Sequence, residues 1–206
     1  MNTTWAKIIS YVFQPLFMPL LTVILAFNFD PYLESYFPPE AERAIYSVIG
    51  LNTFLVPTLL ILYLKRLKII SSIDVENRRE RFIPFMVTLV LYITTYVLIR
   101  RSPLPETMYS MISACIIAMI LAFVITMAWK ISIHMTGIGG VVGAMCALFD
   151  IHMFFPVAIL SALVLLGGFI GTARMVLGIH TLAQIICGSV LGFTVQFVAV
   201  KYSLFI

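Results

Sequence analysis

Apolar residues in this chain are collected into seven long runs that short polar segments separate. The runs predict helices at about 5–29, 44–64, 84–100, 107–128, 137–150, 153–170 and 176–199. About 20 residues are needed to cross a bilayer, so the fifth run is short and the sixth is marginal. These two are expected either to tilt or to form a hairpin at residues 150–152 that is buried in the bundle. The predicted fold is an all-α, polytopic membrane helix bundle with six to seven transmembrane helices.

The composition supports a membrane location. Hydrophobic residues make up 62% of the 206 residues and charged residues 11%, whereas a water-soluble domain carries about 25% charged residues. Such a chain cannot cover a surface in water, so the lipid bilayer is its expected surroundings. No repeat or interdomain linker is visible, which predicts a single transmembrane domain over residues 1–206.

Several features of the apolar runs have structural interpretations that involve no ligand. Gln14 and Pro15 interrupt the first run, which predicts a retained, proline-kinked span and not a cleaved signal peptide. The glycine-rich stretch 137–143 follows no strand and lacks the ending of a nucleotide loop, so it indicates close helix packing. The cysteines lie in apolar runs without metal or disulfide spacing and are expected to be buried thiols: Cys115, Cys146 and Cys187.

Counting the spans places three polar segments on one side of the membrane, here called face A, where the N-terminus also lies. The segments are 65–81, 129–137 and 171–184, and each precedes a helix that runs away from face A. Their helix N-termini therefore point at face A, with Pro84 suited to a first turn and Thr136 to an N-cap. Such termini offer free N–H groups and positive charge, which predicts an anion site, most commonly for phosphate.

Cationic side chains accompany these helix ends. Arg174 lies alone between two apolar spans, where a charge is costly and functional use is the default interpretation. Arg81 is the second fixed charge. A guanidinium can donate hydrogen bonds to two phosphate oxygens at once. Further charge could come from Arg78, Arg79 and Lys130. An ordinary basic loop explains Lys65, Arg66 and Lys68.

Two of the three histidines fall on face A. His134 and His180 each lie beside a helix N-terminus, which favours the neutral imidazole that a nucleophile or base requires. Gln184 lies four residues after His180, on the same helical face, where its amide oxygen could accept a hydrogen bond and fix the tautomer. His152 falls on the opposite side, face B, and is interpreted as structural.

Three stretches resemble the motifs of the type 2 phosphatidic acid phosphatase superfamily, which are K-x6-R-P, P-S-G-H and S-R-x5-H-x3-D. A-R-M-V-L-G-I-H-T-L-A-Q (173–184) keeps Arg174 and His180 at the third motif's spacing. I-S-I-H (131–134) keeps Ser132 and His134, and D-V-E-N-R-R-E-R-F (74–82) keeps Arg81. The resemblance covers about residues 74–190 and follows the family's motif order.

The resemblance implies a reaction and a role for each matched residue. His180 would attack phosphorus and form a phosphohistidine, and His134 would protonate the leaving oxygen. Phosphate-binding residues would be Arg81, Arg174 and Ser132, with Lys130 or Arg78 replacing a lost lysine charge. It implies neither a metal nor another cofactor. The expected partner is a phosphorylated lipid, and no nucleic acid is expected.

The motifs also depart from the family's pattern. Asp74 stands in place of a lysine, Ala173 in place of a serine, and Gln184 in place of the aspartate that supports the nucleophile. A neutral amide there can hold the wrong tautomer, and loss of a comparable carboxylate in a protease triad costs about 10⁴ in rate. Slow or absent turnover would follow from these changes.

Three functions are compatible with this pattern. The first is an integral membrane phosphatase that hydrolyses a lipid phosphate or prenyl (pyro)phosphate. The second is a weak or inactive relative that binds a phosphorylated headgroup, and the third is a transporter component whose Arg/His pair lines a path. The expected location is the inner cell membrane. Basic residues are more numerous on face A, so the positive-inside rule places face A in the cytoplasm, whereas the resemblance implies the outer face, where bacterial members of the family usually work.

Overall fold

The computed structural model describes residues 1–72 and 78–204, except for the side chains of Tyr36, Arg78 and Arg79. Its α-helices are α1 (Thr3–Val12), α2 (Met18–Phe29), α3 (Pro31–Tyr36), α4 (Pro39–Ile49), α5 (Val56–Arg66), α6 (Phe82–Ile99), α7 (Glu106–Ala128), α8 (Ile133–Ile151), α9 (Val157–Val176) and α10 (Leu182–Lys201). A π-helical turn (Gly50–Leu55) joins α4 to α5, and 3₁₀ turns precede α2 and α6. Seven helical segments of the described residues are long and apolar enough to span a bilayer, which confirms the predicted multi-pass membrane bundle.

The first span is broken where the sequence predicts a kink. α1 ends at Val12, Gln14 adopts an extended backbone, and Pro15 starts a 3₁₀ turn that leads into α2. Proline has no N–H and disfavours a helical residue before it, so the α-helical ladder cannot continue through this point. The carbonyl of Ser10 lies in the last turn of α1, where the break leaves carbonyls open to partners outside the helix.

Helices α8 and α9 are longer than their apolar runs. They contain 19 and 20 residues and both are long and apolar enough to span a bilayer, so the expectation of a short, buried hairpin is wrong, and their tilt stays a prediction. α8 begins at Ile133 because Ser132, not the predicted Thr136, is its N-cap. The Thr136 hydroxyl instead donates to the Ser132 carbonyl within the helix, 3.1 Å away. Polar side chains in the first turn of α8 had shortened the apparent run.

α8 packs closely against α10 through glycine. A Cβ atom added to Gly188 would lie 2.6 Å from the Ser132 carbonyl oxygen, and one at Gly192 would collide with that of Thr136. Gly139 and Gly143 meet the α10 backbone in the same way. The helix-packing interpretation of residues 137–143 is therefore confirmed, and the crossing fixes α8 and α10 to each other.

The three cysteines are free thiols, as predicted, but they are not uniformly buried. Cys115 and Cys146 are partly buried inside the bundle. Cys187 is exposed on the outer side of α10, within a membrane-spanning segment, and so faces the bilayer. The apolar run alone did not distinguish a lipid-facing position from a core position.

Face B is held together by two pairs of charged and imidazole groups. His152 Nδ1 lies 2.6 Å from an oxygen of the fully buried Asp30, whose other oxygen caps α3 by accepting from the N–H groups of Tyr32 and Leu33. Asp150 forms an ion pair with Lys201 at the end of α10. These contacts agree with the structural role predicted for His152.

Candidate active site

A cavity of about 290 Å³ opens at face A and brings together the residues that the sequence singled out there. Five of them line it although they come from three distant segments: Arg81, Lys130, His134, Arg174 and His180. We call Arg81, Lys130 and Arg174 the cationic rim. The two histidines therefore line one cavity together with three cations, and guanidinium and ammonium groups bind anions such as phosphate.

The end of α9 folds His180 back over Arg174. Arg174 lies in the last turn of α9 and is 3% exposed, so the prediction that the sixth helix ends before it is wrong. Gly178 adopts φ 68°, a left-handed conformation that glycine accepts without strain. The N–H groups of Ile179 and His180 then both reach the Arg174 carbonyl, at 3.2 and 3.4 Å. This Schellman turn reverses the chain directly after the arginine.

Gln184 holds the His180 ring in one tautomer. The Gln184 Oε1 atom accepts the Thr181 backbone N–H at 3.2 Å and lies 3.1 Å from His180 Nδ1. Because the backbone N–H can only donate, it fixes the oxygen of the amide, not the nitrogen, toward the ring. Nδ1 must therefore carry the proton, and the lone pair of the neutral ring is left on Nε2. The predicted hydrogen bond is confirmed, and it selects the tautomer that a nucleophile needs.

The surroundings of His180 keep its ring neutral. The pKa of His180 is lowered from 6.5 to about 4: burial is the largest cause, the hydrogen bond to Gln184 opposes it, and the positive charges of Arg174, Lys130 and Arg81 add to it. Desolvation and like charge both disfavour the imidazolium form. At neutral pH the ring is therefore a neutral base or nucleophile surrounded by cations.

His134 is fixed from the opposite side by the broken first span. Its Nε2 lies 3.1 Å from the carbonyl oxygen of Ser10, in the last turn of α1. A carbonyl only accepts hydrogen bonds, so Nε2 carries a proton. Proton exchange is then left to Nδ1, and the same carbonyl supports the positively charged ring that a general acid must form.

Other predicted site residues are placed differently. Ser132 does not line the cavity; its hydroxyl is fully buried and accepts the Met135 N–H at 3.5 Å as the N-cap of α8. The structure thus gives this hydroxyl a backbone partner in place of the predicted phosphate contact. Gln184 lies behind His180 and orients it. The side chain of Arg78 and all of Asp74 lie outside the described residues.

The cavity also includes residues that the sequence analysis did not identify. Tyr92, Cys115 and Gln196 line its deep end, far from the cationic rim in sequence. Gln196 donates from Nε2 to the Met111 carbonyl and to Cys115 Sγ, each at 3.0 Å. A glutamine inside an otherwise apolar run was the available signal for this position. The Ser10 carbonyl had no such signal, because any residue carries one.

Comparison with known proteins adds no relative. No family model matches the chain, and neither a curated protein nor a solved structure matches it. The chemistry of the cavity and its position in the bundle therefore carry the functional conclusion.

Proposed function

We propose that this protein is an integral membrane phosphatase of the phosphatidic acid phosphatase type, which hydrolyses a lipid phosphate or prenyl (pyro)phosphate through a phosphohistidine. One observation carries the proposal: the backbone-fixed Gln184 leaves Nε2 of a neutral His180 as the reactive atom in a cavity rimmed by three cations. A nucleophile held neutral beside charges that bind its anionic substrate is the arrangement that phosphoryl transfer requires.

The proposed reaction has two steps. Nε2 of His180 attacks phosphorus, the bond from phosphorus to the leaving oxygen breaks, and His134 gives that oxygen a proton from Nδ1. Water then attacks the phosphohistidine, His134 takes a proton from this water, and the P–N bond breaks to release phosphate. Throughout, the cationic rim stabilises the charge on the non-bridging oxygens.

The site's position suits a substrate that stays in the membrane. The cationic rim lies at the ends of spanning helices, where a headgroup can bind while its hydrocarbon part remains in the apolar layer. The excess of basic residues on face A supports a cytoplasmic site in the inner membrane.

Labelling of introduced cysteines tests this orientation. Ser71 and Ser35 are exposed at face A and face B, respectively. We expect a membrane-impermeant maleimide, added to intact cells, to label Ser35→Cys but not Ser71→Cys, and both variants to be labelled after permeabilisation. The reverse pattern would place the site outside the cytoplasm without affecting the chemistry.

A second function, binding of a phosphorylated headgroup without efficient turnover, is favoured by two features of the site. Gln184 offers His180 a neutral oxygen, which stabilises the charge that develops on the ring less than a carboxylate does. The Ser132 hydroxyl is buried and does not line the cavity, which leaves one fewer donor for phosphate. Both features would slow the reaction and leave the cationic rim intact.

Phosphate release from purified protein separates these functions. The substrates are phosphatidate, phosphatidylglycerol phosphate, lysophosphatidate and farnesyl pyrophosphate in mixed micelles, and release is followed over many turnovers. We expect sustained release from at least one of them without added metal. Saturable binding of the same lipids with no release would support the second function, and neither binding nor release would refute both.

A further inference from the structure

The cavity continues far below the cationic rim. Tyr92 follows the start of α6 by about ten residues, which corresponds to a depth of about 15 Å. Cys115 precedes the face A end of α7 by about 13 residues, or about 20 Å. The hydrocarbon layer is about 30 Å thick, so the deep end of the cavity reaches the middle of the bilayer.

The walls between the rim and the deep end are mainly apolar. The Phe85 and Phe123 rings stack with centroids 3.9 Å apart on one side, and Met119 and Val141 add aliphatic surface. Lining residues come from all seven spans, so the cavity lies within the helix bundle. Its volume of about 290 Å³ is at the low end of the roughly 300–1,000 Å³ typical of ligand sites. So small a volume favours one hydrocarbon chain over two.

The deep end of the cavity is closed by Gln196, whose side chain is held in place by hydrogen bonds. Gln196 is 3% exposed, and its amide is tied to the Met111 carbonyl and to Cys115. Next to it, a Cβ atom added at Gly140 would lie 3.2 Å from Gln196 Cγ, so α8 closes tightly over the side chain. Gln196 Oε1 is buried without a hydrogen-bond partner, so a chain that enters from the rim meets a polar wall, which it cannot cross without also breaking the hydrogen bonds of Nε2.

We infer that the cavity holds the single hydrocarbon chain of the phosphorylated ligand, with its phosphate at the cationic rim and its chain end at Gln196. This inference rests on the proposed function and narrows its substrate to single-chain phosphates of limited length. Straight alkyl and branched prenyl chains share the required chemistry. A lipid with two chains would have to leave one of them outside the enclosing helices.

Two alanines on α7 allow the length of this site to be changed. Ala118 and Ala122 both line the cavity and are 7% and 2% exposed, with Ala122 nearer the rim. Replacement by phenylalanine fills the space at two depths, and the leucine variants at both positions make a milder change. Ala162→Phe is the matched control, because Ala162 is exposed on α9 and does not line the cavity.

The experiment measures two properties over one chain series. Phosphate release is followed for alkyl phosphates from octyl to octadecyl, for geranyl and farnesyl phosphates, and for a two-chain phosphatidate. Binding of the matching alkyl phosphonates, whose C–P bond resists hydrolysis, is measured by calorimetry in nanodiscs. We expect a chain length beyond which both release and affinity fall at least tenfold, and phosphatidate at least tenfold below the best single-chain substrate. The limit should move to shorter chains in Ala118→Phe, further in Ala122→Phe, and not at all in Ala162→Phe.

We call the part of the cavity that holds the hydrocarbon chain the chain site. The outcomes test this site and the proposed catalysis separately. Length-limited phosphonate binding without release of phosphate would support the chain site and contradict the phosphatase. Equal release from single-chain and two-chain substrates, with no length limit, would refute the chain site and leave the phosphatase intact. If the phenylalanine variants do not fold, the leucine variants and the series on the unaltered protein give the same decision. The greatest chain length accepted is compared between prenyl and alkyl phosphates, and the comparison shows which kind of hydrocarbon chain the cavity prefers.

Discussion

Replacement of His180 by alanine is expected to lower the rate of phosphate release by about 10³-fold or more, because it removes the proposed nucleophile and not a residue that only binds substrate. The cationic rim is retained in this variant, so the affinity for a non-hydrolysable phosphonate should change only a few-fold. Initial rates and calorimetric binding on the same preparations measure the two quantities. A loss of affinity as large as the loss of rate would instead assign His180 to binding.

The matched control is His152→Ala. His152 is also a partly buried histidine that bonds to a neighbouring side chain, but it lies at face B beside Asp30. Its loss leaves a buried carboxylate without its imidazole partner, so we expect a lower melting temperature with little change in the rate at temperatures where the variant is folded. A rate loss in His152→Ala comparable to that in His180→Ala would contradict an active site at face A.

The helices were predictable from the sequence, and several of their ends were not. Long apolar runs report only that a segment lies in lipid, so all seven spans were found. Polar residues at a helix end have two possible meanings, a loop or a helical turn with another partner. In α8, His134 bonds to the Ser10 carbonyl and Thr136 to its own helix, so both are helical although they looked like loop residues. Arg174 was placed outside α9 for the same reason.

The site was predictable as far as two things determine it: the spacing of residues within a segment, and the number of spans before that segment, which assigns it to a face. The five-residue gap between Arg174 and His180 and the side assigned to each segment were enough to bring them into one cavity with His134. The deep end of the cavity and the role of Ser10 were not accessible in this way. They depend on how helices cross and on where a backbone carbonyl is left open by a kink, and no side chain encodes either fact.

Both histidine rings are oriented although the third stretch has Gln184 where the family's motif has a carboxylate. Each ring is oriented by an oxygen that cannot change its role: the Ser10 carbonyl for His134 and the backbone-locked amide oxygen of Gln184 for His180. The orientation and the tautomer of both histidine rings are thus fixed without a carboxylate. What the amide does not supply is negative charge, and this difference can be measured.

Restoring a carboxylate by Gln184→Glu is expected to raise the rate at neutral pH by about tenfold or more. A comparable carboxylate is worth about 10⁴ in a protease triad. Glutamate at this third helical position also keeps the capping box with Thr181, so the geometry is preserved. The negative charge beside Nδ1 favours the imidazolium form and so raises the pKa of His180 from its value of about 4. Only the neutral ring attacks phosphorus, so kcat/KM falls at low pH as the ring becomes protonated. This acid limb of the pH profile should move to higher pH by about 1–2 units.

Gln184→Met is the control, since methionine has a similar length but only a weak acceptor. Without the oxygen, burial and the cationic rim act on His180 unopposed, so its pKa should fall further and the acid limb should move to lower pH. The rate should fall about 100-fold, because neither tautomer is then preferred and the ring is no longer held toward phosphorus. Opposite displacements of the acid limb in the two variants are the signature of direct contact with the nucleophile. If both variants kept the acid limb of the unaltered protein, Gln184 would be only a helix cap and His180 would need another orienting group.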